Sequence, residues 1–349
     1  MNMPHFYWYV PTNGDGYYLG LKKPDRKPTI DYIVKVSQTA EAAGFEGILI
    51  PTGIPFLDSW MVGSAIVHNT KSIKPLVAFR PGFISPTVAA KMAATLNEFS
   101  GNRVLVNIVT GGSAKELGQD GDFVAHDERY KRTGEFLDVI LKSWNETCFD
   151  HDSKHFTVKQ GTISPPIETL PQIPIYFGGS SDIAKDVAAK YADIYLQWGE
   201  PVAQVKAQLE DVKQRASAYG RKLENGVRLH VVVRETEEKA WAAAHNIISK
   251  IDQSIQSRMN HYYETTDSIA QTRMNELTKE SEHFDKYGWS GIGRIRKGAG
   301  TALVGTPSQI REGLQDYVDA GIDHFILSGF PHVEEAEIFG NTVLPLFKE

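Results

Sequence analysis

The 349-residue chain has one cysteine, no unbroken apolar run of 18 residues and no excess of positive charge. Each shortage removes a class of protein. A lone Cys148 excludes an intramolecular disulfide. Without a long apolar run, no segment is expected to span a membrane. A net charge of −6 argues against a nucleic-acid partner, because neutralising phosphates takes a basic face. The opening Met1-Asn2-Met3-Pro4-His5-Phe6 lacks a basic stretch and an apolar core, so no secretory signal is expected and the cytoplasm is the expected compartment. The missing catalytic signatures narrow the field further. There is no HExxH, no CxxC, no GxSxG elbow, no His/Asp cluster at metal-ligand spacing and no carboxylate pair of the glycosidase kind. GxGxxG and GxxxxGK[ST] are also missing. No metal is expected, and any hard chemistry falls to an organic cofactor.

What is present alternates between two periods. Strand-like runs fall at 6–10, 47–50, 76–79, 104–109, 175–177, 194–196, 227–233 and 324–327. Helical spacing covers 29–43, 87–99, 128–145, 183–192, 202–219, 237–252 and 307–320. The unbroken apolar run at 104–109 suits a parallel strand buried on both faces. Eight strands with helices between most of them predict an α/β protein, a single (β/α)8 TIM barrel over 1–349 with insertion segments. A doubly wound open sheet is the alternative. Two segments break the repeat. Residues 149–171 are expected to hold a small excursion. Residues 253–300, long, polar and mixed in charge, are expected as a loop, and a loop of that length points to a mobile lid.

In a barrel the chemistry lies at the carboxyl ends of the strands. There the run at 175–177 enters Gly178-Gly179-Ser180-Ser181-Asp182 and then a helix. Two glycines before a serine-capped helix leave backbone N–H groups aimed at one point, where the helix dipole also favours an anion. A single phosphate, as on a mononucleotide such as FMN, is the natural occupant; the alternative is a turn without a ligand. Arg228 and His230 lie two apart in a strand and share a face. Arginine is rarely buried without a partner, so that face either binds an anion or pairs Arg228 with a carboxylate at the barrel mouth. Arg294, Arg296 and Lys297 precede Gly298-Ala299-Gly300. They either close over an anion or form a solvated basic loop.

These residues belong to a longer series. Pro11-Thr-Asn-Gly-Asp-Gly, Ile48-Leu-Ile-Pro-Thr-Gly, Arg80-Pro, Ser85-Pro-Thr-Val-Ala-Ala and Asn107-Ile-Val-Thr-Gly come first. Tyr176-Phe-Gly-Gly-Ser-Ser-Asp, Tyr195-Leu-Gln-Trp-Gly-Glu-Pro, Arg228-Leu-His-Val-Val-Val-Arg-Glu-Thr, Gly298-Ala-Gly-Thr-Ala-Leu-Val-Gly and Leu327-Ser-Gly-Phe-Pro-His follow. Along nearly its whole length the chain resembles the FMNH2-dependent alkanesulfonate monooxygenases of the bacterial luciferase-like superfamily. The resemblance implies a luciferase-like barrel and a two-component system. An NAD(P)H-dependent flavin reductase would supply FMNH2, and with O2 the enzyme would cleave the C–S bond of an organosulfonate to an aldehyde and sulfite. A homo-oligomer, dimer or tetramer, is implied too. By the same resemblance Arg228, His230, Arg296, Trp198 and His332 are active-site positions. Asn107, Tyr130 (in His126-Asp-Glu-Arg-Tyr), Ser180 and Ser181 are flavin-binding positions, to which Thr110 at a strand end and the turn glycines Gly178 and Gly179 are added. Two arginines suit a sulfonate, a permanent anion with three acceptor oxygens. His230, with an imidazole pKa near neutrality, is expected to carry a proton.

Three positions depart from that family. Its usual His in the first loop is Asn13, its Cys after the second strand is Phe56, and its Tyr before the Pro-His pair is Phe330. Each change loses a proton-bearing group, and the pocket gains two phenyl rings. The substrate is therefore open among organosulfonates, including a sulfosugar such as sulfoquinovose, or methanesulfonate. Two other functions stand as alternatives. One is a deazaflavin-dependent oxidoreductase working without oxygen. The other is a non-catalytic flavin-binding protein, against which the retention of Arg228, His230 and Arg296 together argues.

Overall fold

The computed structural model describes residues 3–163 and 172–348. Eight parallel strands pair each with the next: His5–Tyr9, Gly47–Ile50, Lys74–Phe79, Leu105–Ile108, Ile175–Gly178, Ile194–Trp198, Glu224–Val233 and His324–Ser328. The eighth pairs back onto the first, with His324 opposite His5 and Phe325 opposite Phe6. The sheet is thus a closed α/β TIM barrel, and the open doubly wound alternative is excluded. All eight strands are the ones expected from the sequence, with ends shifted by a few residues.

Alternation along the strands sorts the core into two layers. Tyr7, Tyr9, Leu49, Leu76, Tyr176 and Ile326 form one buried cluster, the barrel lumen. Their chain neighbours Phe6, Trp8, Ile48, Val77, Phe177 and Phe325 pack in the other, under the helices. Side chains set where the helices begin. Thr29 accepts from the Tyr32 N–H ahead of Ile30–Ala42, and Thr306 with Gln309 makes a reciprocal capping box ahead of Pro307–Asp319. Gly101, at φ +68°, ends Pro86–Ser100 in the left-handed conformation that glycine adopts without strain.

Several features correct the sequence expectation. The segment 253–300 is not a loop. It carries helices Gln253–Thr265 and Ile269–Glu280, the hairpin His283–Phe284 with Gly288–Trp289, and one 3-10 turn at Gly291–Arg294. The second helix buries Gln271, Met274 and Leu277 and is otherwise largely polar. A further parallel strand, Ala302–Gly305, runs beside the upper half of Glu224–Val233, with Ala302 opposite His230. Ser59–Asn69 is an unexpected helix. The helix expected at 237–252 ends at Ile247, whose carbonyl accepts from the Leu19 N–H (2.8 Å). The excursion after 149 is a hairpin, Phe149–Asp152 with Thr157–Gly161. Its continuation over 164–171, like Met1 and Asn2 of the opening segment, lies outside the described residues. No helix among the described residues is long and apolar enough to cross a membrane.

Candidate active site

Tyr9 ends the first strand with its ring in the lumen. Two guanidiniums lie over that ring, Arg228 at 4.9 Å and Arg296 at 5.5 Å from its centroid. Arg228, on the seventh barrel strand, is only 5% exposed. Its Nη1 donates to the Leu229 carbonyl (2.6 Å) and its Nη2 to Ser328 Oγ (2.8 Å). Among the described residues neither arginine pairs with a carboxylate, so the alternative of a structural ion pair at Arg228 is set aside. Burial, reinforced by the Arg296 charge, pushes the Arg228 guanidinium down to about 9. Two cations held together without a counter-charge are costly until an anion joins them. An anion between them would supply the missing counter-charge.

His230 stands next to this pair, 1% exposed. Its Nε2 faces the Ala299 carbonyl (3.1 Å), which only accepts, so Nε2 carries the hydrogen. Nδ1 then accepts from Ser328 Oγ (2.7 Å), which in turn accepts from Arg228. Burial first, then the Arg228 and Arg296 charges, hold the imidazole well below its usual range. The expectation of an imidazole pKa near neutrality at His230 is therefore corrected. It is a neutral group locked on both nitrogens, and its geometry serves to orient Ser328 and Arg228.

His332 has the opposite arrangement. Its Nδ1 faces Asp15 Oδ1 (2.9 Å), its backbone N–H donates to Asp15 Oδ2 (2.8 Å), and its buried Nε2 has no partner among the described residues. Burial alone would raise the Asp15 carboxyl. The His332 imidazole and the hydrogen bonds from His332 and Tyr32 outweigh it and hold Asp15 below its ordinary range. The His332 ring lies 5.7 Å from that of Tyr9 and meets Phe330 edge-on at 5.1 Å. Phe330 in turn stacks on His230 at 5.3 Å. Asp15 was not singled out by sequence reasoning. The only signal is its place in the loop that leaves the first strand.

Arg296 is held by the helices that replaced the expected loop. Its Nη1 donates to the carbonyls of Lys297 (3.1 Å) and Ala299 (3.2 Å). The Tyr263 hydroxyl faces the carbonyls of Gly293 (2.6 Å) and Arg296 (3.2 Å), and the Gly298 N–H donates to Gln271 Oε1 (2.9 Å). Gly298 has φ +82°, and a Cβ there would lie 3.7 Å from Trp198 Cζ2 and 3.8 Å from Arg296 Nη1. Trp198 therefore stands beside Arg296. Of the three departing positions, Phe330 lies within this pocket. Phe56 sits near Gly53 and the Arg80–Glu116 ion pair (2.6 Å), and Asn13 is exposed.

Trp198 also borders a cleft of about 200 Å3. Asn107, Thr110, Tyr130, Gly178, Gly179, Ser180 and Ser181 all line it, so the seven residues expected to hold a flavin converge. Within the set, Thr110 Oγ1 is already engaged with Thr133 Oγ1 (3.2 Å). At Gly179 a Cβ would fall 2.6 Å from Ala184 Cβ and 3.3 Å from the Tyr130 hydroxyl, so only glycine lets the turn pass this close to the helix. Ser181 Oγ caps Asp182–Tyr191 by accepting from the Ala184 N–H (3.3 Å). Gln197, 4% exposed, lines the same cleft, and among the described residues neither end of its amide has a partner. Leaving such a group unpaired costs about 1–3 kcal/mol, which a ligand offering donors and acceptors would relieve. The donor set suits a phosphorylated flavin. Replacing Ser180 and Ser181 together by Ala is expected to weaken FMN by about tenfold or more and riboflavin hardly at all, read by flavin fluorescence. Equal weakening of both would refute the phosphate role.

The profile of the luciferase-like monooxygenase family matches residues 3–324. Among solved structures, a riboflavin lyase bound to modified FMN and riboflavin is similar with a TM-score of 0.82 and 18% identity, over 99% of this chain and 92% of the other. A long-chain alkane monooxygenase gives 0.80 and 21%, over 100% and 92%. The EDTA monooxygenase of Chelativorans sp. BNC1 gives 0.75 and 17%, over 99% and 94%. At these identities the likeness is one of fold.

Proposed function

Because this chain belongs to the luciferase-like monooxygenase family, within the flavin-dependent monooxygenase superfamily, we propose that it is a two-component FMNH2- and O2-dependent monooxygenase of an organosulfonate. The substrate R–CH2–SO3⁻ loses its C–S bond and leaves as an aldehyde and sulfite. One oxygen atom of O2 enters the aldehyde and the other leaves as water. Reduced FMN, when bound in the cleft, supplies the two electrons and activates the oxygen. A separate NAD(P)H-dependent reductase would deliver it.

One observation carries this reading: the buried Arg228, without a carboxylate, shares the Tyr9 ring with Arg296 next to the flavin cleft. A sulfonate satisfies both guanidiniums through charge-assisted hydrogen bonds. The same cations favour negative charge as it develops on the reacting oxygen. His332, oriented by Asp15, presents its Nε2, unpartnered among the described residues, for a proton. Ser328 and His230 fix the Arg228 fork, and Phe330 gives the organic part of the substrate an apolar wall. Trp198 and the helices of 253–300 cover the rim and exclude water. Assembly as a dimer or tetramer, and a cytoplasmic site of action, belong to the same reading.

The test measures sulfite released with FMN, NAD(P)H and a flavin reductase across methanesulfonate, longer alkanesulfonates and sulfoquinovose. Sulfite and aldehyde in equal amounts, dependent on O2, are expected from at least one member. Tight flavin binding with no sulfite from any of them would favour the passive carrier. Turnover that needs no oxygen would favour deazaflavin chemistry.

A further inference from the structure

The 253–300 segment reaches the far end of the cleft as well. Arg273, on helix Ile269–Glu280, donates from Nη2 to Ser180 Oγ (3.0 Å) and to Gln208 Oε1 (2.8 Å). Its Nε faces both oxygens of Glu200 (3.0 and 3.1 Å). Glu200 is 1% exposed and also accepts from Gln208 Nε2 (2.6 Å). The guanidinium is thereby held against the residue that precedes the Ser181 cap, while Nη1 has no partner among the described residues. Gln197 is an independent sign of a ligand at the same turn. It shares a strand face with Tyr195, whose hydroxyl donates to the Gly179 carbonyl (2.8 Å), and stands one step further along. Both ends of its buried amide are unpartnered among the described residues.

We propose that Arg273 and Gln197 complete the phosphate site of the flavin cradle, so that this protein selects a flavin phosphate monoester over the unphosphorylated flavin. The proposal rests on the FMN reading above. Its logic is electrostatic. The buried Glu200 carboxylate lies close to the turn where a phosphate would sit, and like charges there repel. Arg273 stands between them, neutralising Glu200 with one edge and offering Nη1 to the incoming anion. The amide of Gln197 donates to a further phosphate oxygen. The segment that positions Arg296 at the substrate end thus contributes a second cation at the cofactor end.

The experiment titrates FMN and riboflavin, followed by flavin fluorescence, against the wild-type protein, Gln197→Leu and the double variant Arg273→Gln/Glu200→Gln. The double change removes the ion pair without stranding a buried charge. Wild-type protein is expected to prefer FMN by about a hundredfold. The double variant should lose about tenfold to a hundredfold in FMN affinity, and Gln197→Leu several-fold, with riboflavin affinity unchanged in both. Unchanged riboflavin binding also certifies the fold. A monoester gains its second charge near pH 6, so wild-type affinity for FMN should rise through that pH and the rise should vanish in the double variant. If the double variant keeps its FMN affinity, or loses both flavins equally, Arg273 is a structural residue and the inference is overturned. If the wild-type protein itself fails to prefer FMN, the FMN reading falls first.

Discussion

Replacing Arg296 by Ala is expected to cut sulfonate turnover, read as sulfite release, by about 10²–10³-fold while FMN affinity stays within about twofold. Arg296 is the better of the two arginines to test. It is half-buried, and its Nη1 donates to the carbonyls of Lys297 and Ala299. Among the described residues no carboxylate loses a partner when Arg296 is truncated. Removing Arg228 instead would strand Ser328 and leave a cavity in the lumen, mixing stability with activity. Because Arg296 shares the Tyr9 ring with Arg228 and lies apart from the Gly178–Ser181 turn, the loss should fall on sulfonate and spare flavin. Arg296→Lys should recover only part of it, since an ammonium lacks the planar fork. Full activity in the Ala variant, or loss of flavin in step with turnover, would remove Arg296 from the anion site.

A comparable loss is expected at Asp15, which touches neither arginine. Asp15→Asn preserves shape but replaces an acceptor with an amide that can turn its N–H toward His332 Nδ1. The free nitrogen would then carry the hydrogen, and kcat should fall by about 10²–10⁴-fold. His332→Ala should cost about as much, and the double variant no more than the worse single one, because the two act as a unit. Additive losses would mean that Asp15 merely holds its loop. The same carboxylate is expected to appear in stability. Its folded pKa lies below the ordinary value, so its contribution is present above the unfolded pKa of about 4 and disappears as pH falls further. Asp15→Asn should accordingly flatten acid unfolding, followed by circular dichroism.

Much of the scaffold was readable from local pattern. Apolar runs such as 104–109 and 47–50 announce strands buried on both faces, and eight of them with intervening helices leave few architectures. The cleft around Gly178–Ser181 was readable for a related reason. Gly178–Ser181 is a contiguous motif whose backbone geometry follows from its own residues. The 253–300 helices were not, because their residues are mostly polar and few are buried, so their composition reads as a loop even though Asp252 and Ser268 cap them. Gln197 and Arg273 gave no signal for the same reason: one sits in an apolar strand, the other on a polar helix.

By itself the sequence determined the eight barrel strands, that a Gly-Gly-Ser-Ser turn follows the fifth of them, and that Arg228 and His230 share a face. Those properties depend on neighbours a few residues away. The tertiary structure alone decided that, among the described residues, Arg228 has no carboxylate, that burial holds the His230 imidazole well below its usual range, and that the unpartnered imidazole nitrogen belongs to His332, whose partner Asp15 is 317 positions distant. Charge state and tautomer follow from burial and from what the fold brings within hydrogen-bonding reach. Neither is written in the order of residues along the chain.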